Sequence, residues 1–460
     1  MTPRETAVQV LLAVEQGEKS HLALEEALQR NTSLDARDER FIRRVVRGTL
    51  EKRLLLDHRI NQKSKMPVEK QKPRIRQILR MSAYQICFMD KTPNAAVIHE
   101  AVEMTKRAHM QGLAGFVNAV LRAVSREDHW TGESEEITSG IPEWLLSQWR
   151  QEYGAETTAR MVAGITGGER LTFTRQEALV GEEKLLQSLE AEGCRVEKAA
   201  FPESARVLIL GRPLKTLTAF QRGWIHIQDI SSVLAAELAV AEYRTDGNKM
   251  NGRKADGQKA EEDRPVRVLD VCAAPGGKSI RMAQLLGSRA QVRACDLTAE
   301  KVERMRENLK RSGTKGVLSM VQDAREFVPA WEGKMDIVLA DLPCSGLGVM
   351  GRKPEIRYLI SPEQIDSLQR LQREILQNVS RYVRPGGVLL YSTCTICRAE
   401  NTENAAFIRE QLPFESVDLR PQLPEILQNE ASASEGWLQL LPGVHPSDGF
   451  FVAKFRRQQG

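Results

Sequence analysis

Two cysteines stand where apolar runs give way to polar residues. Ala340-Asp341-Leu342-Pro343-Cys344-Ser345-Gly346-Leu347-Gly348 closes one run, and Tyr391-Ser392-Thr393-Cys394-Thr395-Ile396-Cys397 closes another. A thiol at the carboxyl end of a strand can face a ligand crevice, and its thiolate is a strong nucleophile once the pKa falls from about 8.5. Cys394 and Cys397 also have C-x-x-C spacing, which raises zinc or redox chemistry. Zinc needs a second ligand pair, which the sequence does not supply, and a redox pair should open a helix in a thioredoxin-like domain. No metal is therefore expected. Cys87, Cys194, Cys272 and Cys295 read as packed thiols. Seven cysteines over 460 residues, with no apolar leader after Met1-Thr2-Pro3-Arg4-Glu5, point to reduced thiols and a cytoplasmic protein.

A second constellation lies upstream. Val268-Leu269-Asp270-Val271-Cys272-Ala273-Ala274-Pro275-Gly276-Gly277-Lys278-Ser279 reads as a buried strand running into a glycine turn that opens a helix. Gly276 and Gly277 let backbone amides approach a ligand at the carboxyl end of the strand, the usual ligand position in open α/β sheets. The spacing is neither that of a phosphate loop nor of the dinucleotide fingerprint, which suits a nucleoside ligand with little phosphate charge. Asp296 ends the next strand and can accept hydrogen bonds from both ribose hydroxyls, while Asp323, after the third, can meet an adenine amino group.

These residues need a sheet to position them. After Pro265, short apolar runs at 267–271, 291–295, 317–321, 336–340 and 388–391 alternate with helical stretches, predicting a parallel sheet covered by helices on both faces. The run 449–455 reads as a late strand, an antiparallel edge. Residues 1–128 show helical periodicity throughout, opening on the cap Thr2-Pro3-Arg4-Glu5. Residues 129–140 suit a linker, with a helix starting near Pro142. From Leu171 to Ile227 the order is β-α-β-β-α-β, a ferredoxin-like arrangement. Residues 242–265, with 12 charged residues in 24, read as a flexible insertion. The chain is thus expected to be multidomain: an all-α domain at 1–128, a linker helix and small α+β domain at 141–230, and a Rossmann-like α/β domain at 231–460.

With 41% apolar and 28% charged residues, the composition excludes collagenous, wholly disordered and membrane-spanning chains. The net charge of +5 is modest, yet Arg40 to Arg80 holds 14 Lys/Arg against Glu51, Asp57 and Glu69. Such an excess of one sign suits either a solvated face or a polyanion partner such as nucleic acid.

The motifs at Asp270 to Lys278, Asp341 to Gly348 and Tyr391 to Cys394 resemble those of the RNA cytosine carbon-5 methyltransferases that use S-adenosyl-L-methionine. Phe41 to Leu50, Met81-Ser82-Ala83-Tyr84-Gln85 and Gly115 to Arg122 are similar to the NusB-like domain found in the bacterial 16S ribosomal RNA branch of that family, and the ending Leu438 to Phe451 is similar to the family too. Two departures stand out. Leu171 to Gln176 lacks the wording usual before the core, and Arg398-Ala399-Glu400-Asn401 replaces the more usual acidic pair before asparagine.

The resemblance implies that Cys394 attacks carbon 6 of cytosine and that Cys344 serves release of the methylated RNA. Asp341 would hydrogen-bond the ring nitrogen and exocyclic amine, with Lys278 orienting that carboxylate. Cofactor contacts fall to Cys272, Ala273, Ala274, Pro275, Gly276, Gly277, Lys278, Asp296, Asp323 and Asp341. The partner implied is 16S ribosomal RNA, free or early in assembly, met by a monomer with no membrane attachment. Two other readings are a methyltransferase acting on transfer RNA or DNA, and a non-catalytic RNA-binding assembly factor. Thr393-Cys394 argues against DNA, and the intact glycines, aspartates and cysteines argue against a decayed fold.

Overall fold

Thr2 caps the first helix, Pro3–Glu15, as the sequence predicts: its hydroxyl accepts from the Glu5 amide, and the Glu5 carboxylate accepts from the Thr2 amide. The computed structural model describes residues 1–31, 33–126, 133–166, 171–244 and 264–459, in two compact units. One comprises Met1–Val162 together with Met350–Ile360; the other comprises Ala163–Val349 and Ser361–Gly460.

The first unit is helical. Its core joins Ile42, Val45, Leu56, Ile60, Ile78, Leu79, Val117 and Leu121 from the helices Ala36–Glu51, Arg53–Lys63, Pro73–Phe88 and Ala114–Val124. Within the expected linker, Glu135–Ser139 is a short helix capped by Ser134, and Glu133 pairs with Arg59 at 3.0 Å. Residues 127–132 lie outside the described residues. Met350–Ile360 joins this unit through Arg357, whose guanidinium donates to the carbonyls of Glu51 and Ser139, and through Tyr358, which the Arg53 guanidinium covers at 4.6 Å.

The second unit holds two sheets. Strands β1 (Leu171–Arg175), β2 (Arg195–Lys198), β3 (Ala205–Ile209) and β4 (Ile225–Ile227) form an antiparallel sheet in the order β2-β3-β1-β4, the ferredoxin-like topology. The larger sheet comprises β5 (Val266–Asp270), β6 (Ala290–Asp296), β7 (Val317–Val321), β8 (Met335–Asp341), β9 (Val383–Thr393), β10 (Phe414–Ser416), β11 (Trp437–Leu440) and β12 (Phe450–Arg457). Its order is β10-β12-β9-β8-β5-β6-β7, with β11 also paired to β12. β5 to β9 run parallel, and alternate residues feed opposite cores. Val268, Ile337, Leu339 and Leu390 pack with Leu234 and Met282 on one face; Leu269, Val338 and Leu389 pack with Ile375 and Leu376 on the other.

One expectation is corrected. β12 is interior rather than an edge, because the short β10 and β11 pair with its far side; Phe450 to Phe455 are all buried accordingly. The segment 242–265 is anchored at both ends: Glu242 pairs with Arg456 at 2.7 Å and with the buried Lys454 at 3.3 Å, and Arg264 binds Asp336. Its residues 245–263 lie outside the described residues. No described helix is long and apolar enough to cross a membrane.

Candidate active site

The strand order places β5 and β8 side by side while their successors lead away, so a crevice opens at their carboxyl ends. Beyond Asp270 the chain turns sharply. Gly276 holds a φ of +98°, which a side chain would strain, and its amide donates to the Ala273 carbonyl at 2.7 Å. Gly277 is needed for space: a Cβ there would lie 3.0 Å from His226 Nε2 and 3.3 Å from Gln228 Cδ. The helix Gly277–Leu286 then leaves with its amides toward the crevice.

Asp296 fastens this turn. Its Oδ2 accepts from the Ala274 amide at 3.0 Å, and its Oδ1 accepts from the Leu297 amide at 2.8 Å and Lys301 Nζ at 2.9 Å. The Ala273 amide donates to the Cys295 carbonyl at 2.8 Å, which ties the ends of β5 and β6 together. Cys272 lies half-buried, and burial pushes its thiol far up, which suits a lining residue rather than a nucleophile. Pro275 offers its carbonyl to Asn308 at 3.0 Å. Asp323 follows β7. Its carboxylate is gripped by the Arg325 guanidinium and amide, which hold it below the usual carboxylate range, so an adenine contact there requires Arg325 to share or yield.

Asp270 is the least satisfied group of the turn. Oδ2 accepts from the Ser279 hydroxyl at 2.6 Å, while the buried Oδ1 has no partner among the described residues. Burial pushes this carboxyl up to about 7, with Ser279 and Lys278 opposing. An orphaned acceptor beside a glycine turn fits a ligand carrying hydrogen-bond donors, as the amino-acid end of S-adenosylmethionine does.

β8 and β9 lead into the two strand-end cysteines, with Asp341 paired in register with Ser392. Asp341 accepts from Lys278 Nζ at 2.6 Å and from the Ser392 hydroxyl at 2.7 Å, and Lys278 also donates to Ser232 at 3.3 Å. Burial opposes the lysine's charge, but Asp341, then Asp270 and Cys394, outweigh it and hold the pKa above its ordinary value. Beyond these residues the chains converge, and Cys344 Sγ lies 3.4 Å from Cys394 Sγ. The contact with Cys394, followed by burial, pushes the Cys344 thiol well up. Cys397, the other half of the C-x-x-C, is buried in the core. Thus Lys278, Asp341, Cys344 and Cys394 are brought together, the turn and Asp296 adjoin them, and Asp323 is paired with Arg325. Sequence reasoning missed Ser232, Ser392 and the buried Glu400. The hydroxyls carry no distinguishing signal, and nothing in the spacing marks Glu400.

The basic stretch divides in the helical unit. Arg59, Arg76 and Arg80 are spent on Glu133, Glu15 and Asp57, at 3.0, 2.8 and 2.6 Å. Arg40, Arg43, Arg44, Lys65, Lys70, Lys72 and Arg74 are exposed. A cleft of about 550 Å³ between the helices Asn94–Arg107 and Ala114–Val124 is lined by Asn94, His99, Asn118, Arg122 and Arg126.

Residues 258–456 match the family described as 16S rRNA methyltransferase RsmB/F, and residues 1–126 match the NusB family. A protein of Bacillus subtilis, named a probable ribosomal RNA small subunit methyltransferase B, is 34% identical over 99% of this chain and 98% of its own. A Synechocystis protein of the same name is 28% identical over 95% of both chains. The crystal structure of PH0851 superposes over 99% of both chains with a TM-score of 0.81 at 23% identity. The architecture, the two matched regions and the end-to-end similarity agree, and the chain belongs to the RsmB family of S-adenosylmethionine-dependent ribosomal RNA small subunit methyltransferases.

Proposed function

We propose that this enzyme methylates carbon 5 of a cytosine in 16S ribosomal RNA through a transient bond between Cys394 and carbon 6. The observation that carries the reading is the approach of two thiols to 3.4 Å at the ends of neighbouring strands, beside the Lys278–Asp341 pair. A second cysteine against the first has no role in simple base binding. It suits a reaction in which one sulfur makes a bond and the other assists its breakage.

Carbon 5 of cytosine is a weak nucleophile until a group adds to carbon 6. The Cys394 thiolate adds there, and its charge and that of the Lys278 ammonium favour one another. Asp341, held by Lys278 and Ser392, hydrogen-bonds the exocyclic amine and the ring nitrogen and stabilises charge as it develops. S-adenosylmethionine, when bound, supplies the methyl group. Cys272, Ala273, Ala274, Pro275, Gly276, Gly277 and Lys278 line its place, and Asp296, Asp323 and Asp341 contribute carboxylates. The target base must leave its stack to enter the crevice. We assign residues 1–128 to RNA binding through the exposed cations, 141–230 to the ferredoxin-like module, and 231–460 to catalysis.

Nucleoside mass spectrometry of a 16S rRNA transcript treated with enzyme and cofactor tests this. The expected product is 5-methylcytidine, lost with Cys394→Ala. Methylation on another base or atom overturns the reading.

A further inference from the structure

The two cysteine loops are joined by a buried carboxylate that the reaction above does not use. Glu400 lies between them, inaccessible to solvent. Its Oε1 accepts from the Ser345 amide at 2.9 Å and from Gln372 Nε2 at 2.9 Å, and its Oε2 accepts from the Ser345 hydroxyl at 2.5 Å. Gln372 Nε2 also reaches the Pro343 carbonyl at 2.8 Å. Cys344 is therefore gripped on both sides, through the residue before it and the residue after it. The Ser345 hydroxyl lies 2.7 Å from that of Thr395, which follows Cys394, so the clamp reaches the second loop as well. Asn404 steadies it from behind, donating to Gln372 Oε1 at 2.8 Å and to the Glu400 carbonyl at 3.2 Å.

A buried carboxylate is costly, and an apolar side chain would fill the same space without that cost. The donors aimed at Glu400 converge on the segment that sets the distance between the two sulfurs. We propose that Glu400 is a positioning residue that holds the Cys344 thiol against Cys394 so that the methylated RNA can be released. This rests on the division of labour between the cysteines given above. In the releasing step the C5–H bond breaks and its proton passes to solvent. The electron pair forms the C5–C6 double bond, and the C6–Sγ bond breaks with its pair left on Cys394. A Cys344 S–H held at this distance donates to that sulfur as its charge grows. Displaced, it leaves the step unassisted. The carboxylate also adds to the influences that keep Cys344 protonated, after its contact with Cys394 and burial.

The test uses the full chain with S-adenosylmethionine and a 16S rRNA transcript, comparing Glu400→Gln, Ser345→Ala and Cys344→Ala on denaturing gels and in single-turnover assays. Glu400→Gln keeps the shape but offers one acceptor where three donors converge. Methyl transfer in the first turnover is expected to stay close to wild type. Release should slow by about tenfold or more, roughly the worth of one hydrogen bond, and an RNA–protein band should accumulate. Ser345→Ala, which removes one of the three donors and leaves the carboxylate in place, should show the same band more faintly and serves if Glu400→Gln does not fold. A purely structural Glu400 would instead lower methyl transfer, cofactor affinity and melting temperature together, with no band, and that result overturns the inference. A band from Cys344→Ala but from neither clamp variant removes the clamp and leaves the cysteine roles standing. No band from Cys344→Ala removes both.

Discussion

Lys278 Nζ lies 2.6 Å from Asp341 Oδ2, so a lysine from the helix after β5 and an aspartate at the end of β8 meet across two neighbouring strands. The pair joins the cofactor turn to the loop that carries Cys344. Lys278→Ala is expected to lower kcat by about 10²–10³-fold, the usual cost of losing one preorganised charged group. The melting temperature should fall by only a few degrees. An unchanged kcat would reduce the pair to a structural tie.

Asp296 holds the turn through the Ala274 amide, and the same carboxylate is assigned the ribose. Asp296→Ala should weaken S-adenosylmethionine binding by about 1.5–3 kcal/mol, or roughly 10- to 150-fold in Kd. Calorimetry on the free protein measures this, and full affinity in the variant would remove Asp296 from the cofactor site.

Asp270 gives a pH signature. Its carboxyl titrates at about 7 when folded, against an ordinary value of 3.8. Between these values the folded chain binds a proton that the unfolded chain does not, so this contribution is complete below pH 4 and is lost as pH rises through 7. Thermal unfolding without cofactor should therefore show Asp270→Asn gaining on wild type as pH is raised from 5 to 8. Parallel curves for the two proteins would show that the carboxyl is already ionised at pH 5.

The exposed cations of the helical unit predict a salt effect. Changing Lys70, Lys72 and Arg74 together to Gln should weaken RNA binding and flatten its salt dependence by about 2 in slope, if each contacts a phosphate. Arg59→Gln, which breaks the pair with Glu133, should instead cost stability and leave the slope alone. Equal slopes for the triple variant and wild type would make the run a solvated face.

Much of this arrangement is legible from residue order alone. Val268 and Leu269 are both apolar because β5 is covered on both faces, and that pattern marked the parallel strands and hence the strand-end positions of Asp296, Asp341, Cys344 and Cys394. Where strands are short or partners local, the signal fades. The three residues of β10 and the four of β11 are too few to show a period, which is why β12 read as an edge. β9 begins at Val383, ahead of Pro385-Gly386-Gly387, residues that ordinarily mark a turn; a register shift beside Met335 absorbs them. The pairing of Asp323 with Arg325 is a choice of side-chain conformation that spacing does not encode. Nor does any pattern announce that Arg357 and Tyr358, soon after the Cys344 loop, belong to the helical unit, since their partners are the carbonyls of Glu51, Ser139 and Gly140.

The central claim is that Cys394 makes the bond to RNA and Cys344 permits its breakage. It is tested most directly by incubating each single alanine variant and the double variant with a 16S rRNA transcript and S-adenosylmethionine, then separating the products on a denaturing gel. Cys344→Ala should yield a nuclease-sensitive RNA–protein species, whereas Cys394→Ala and the double variant should yield none. A covalent species from Cys394→Ala, with none from Cys344→Ala, would contradict the account.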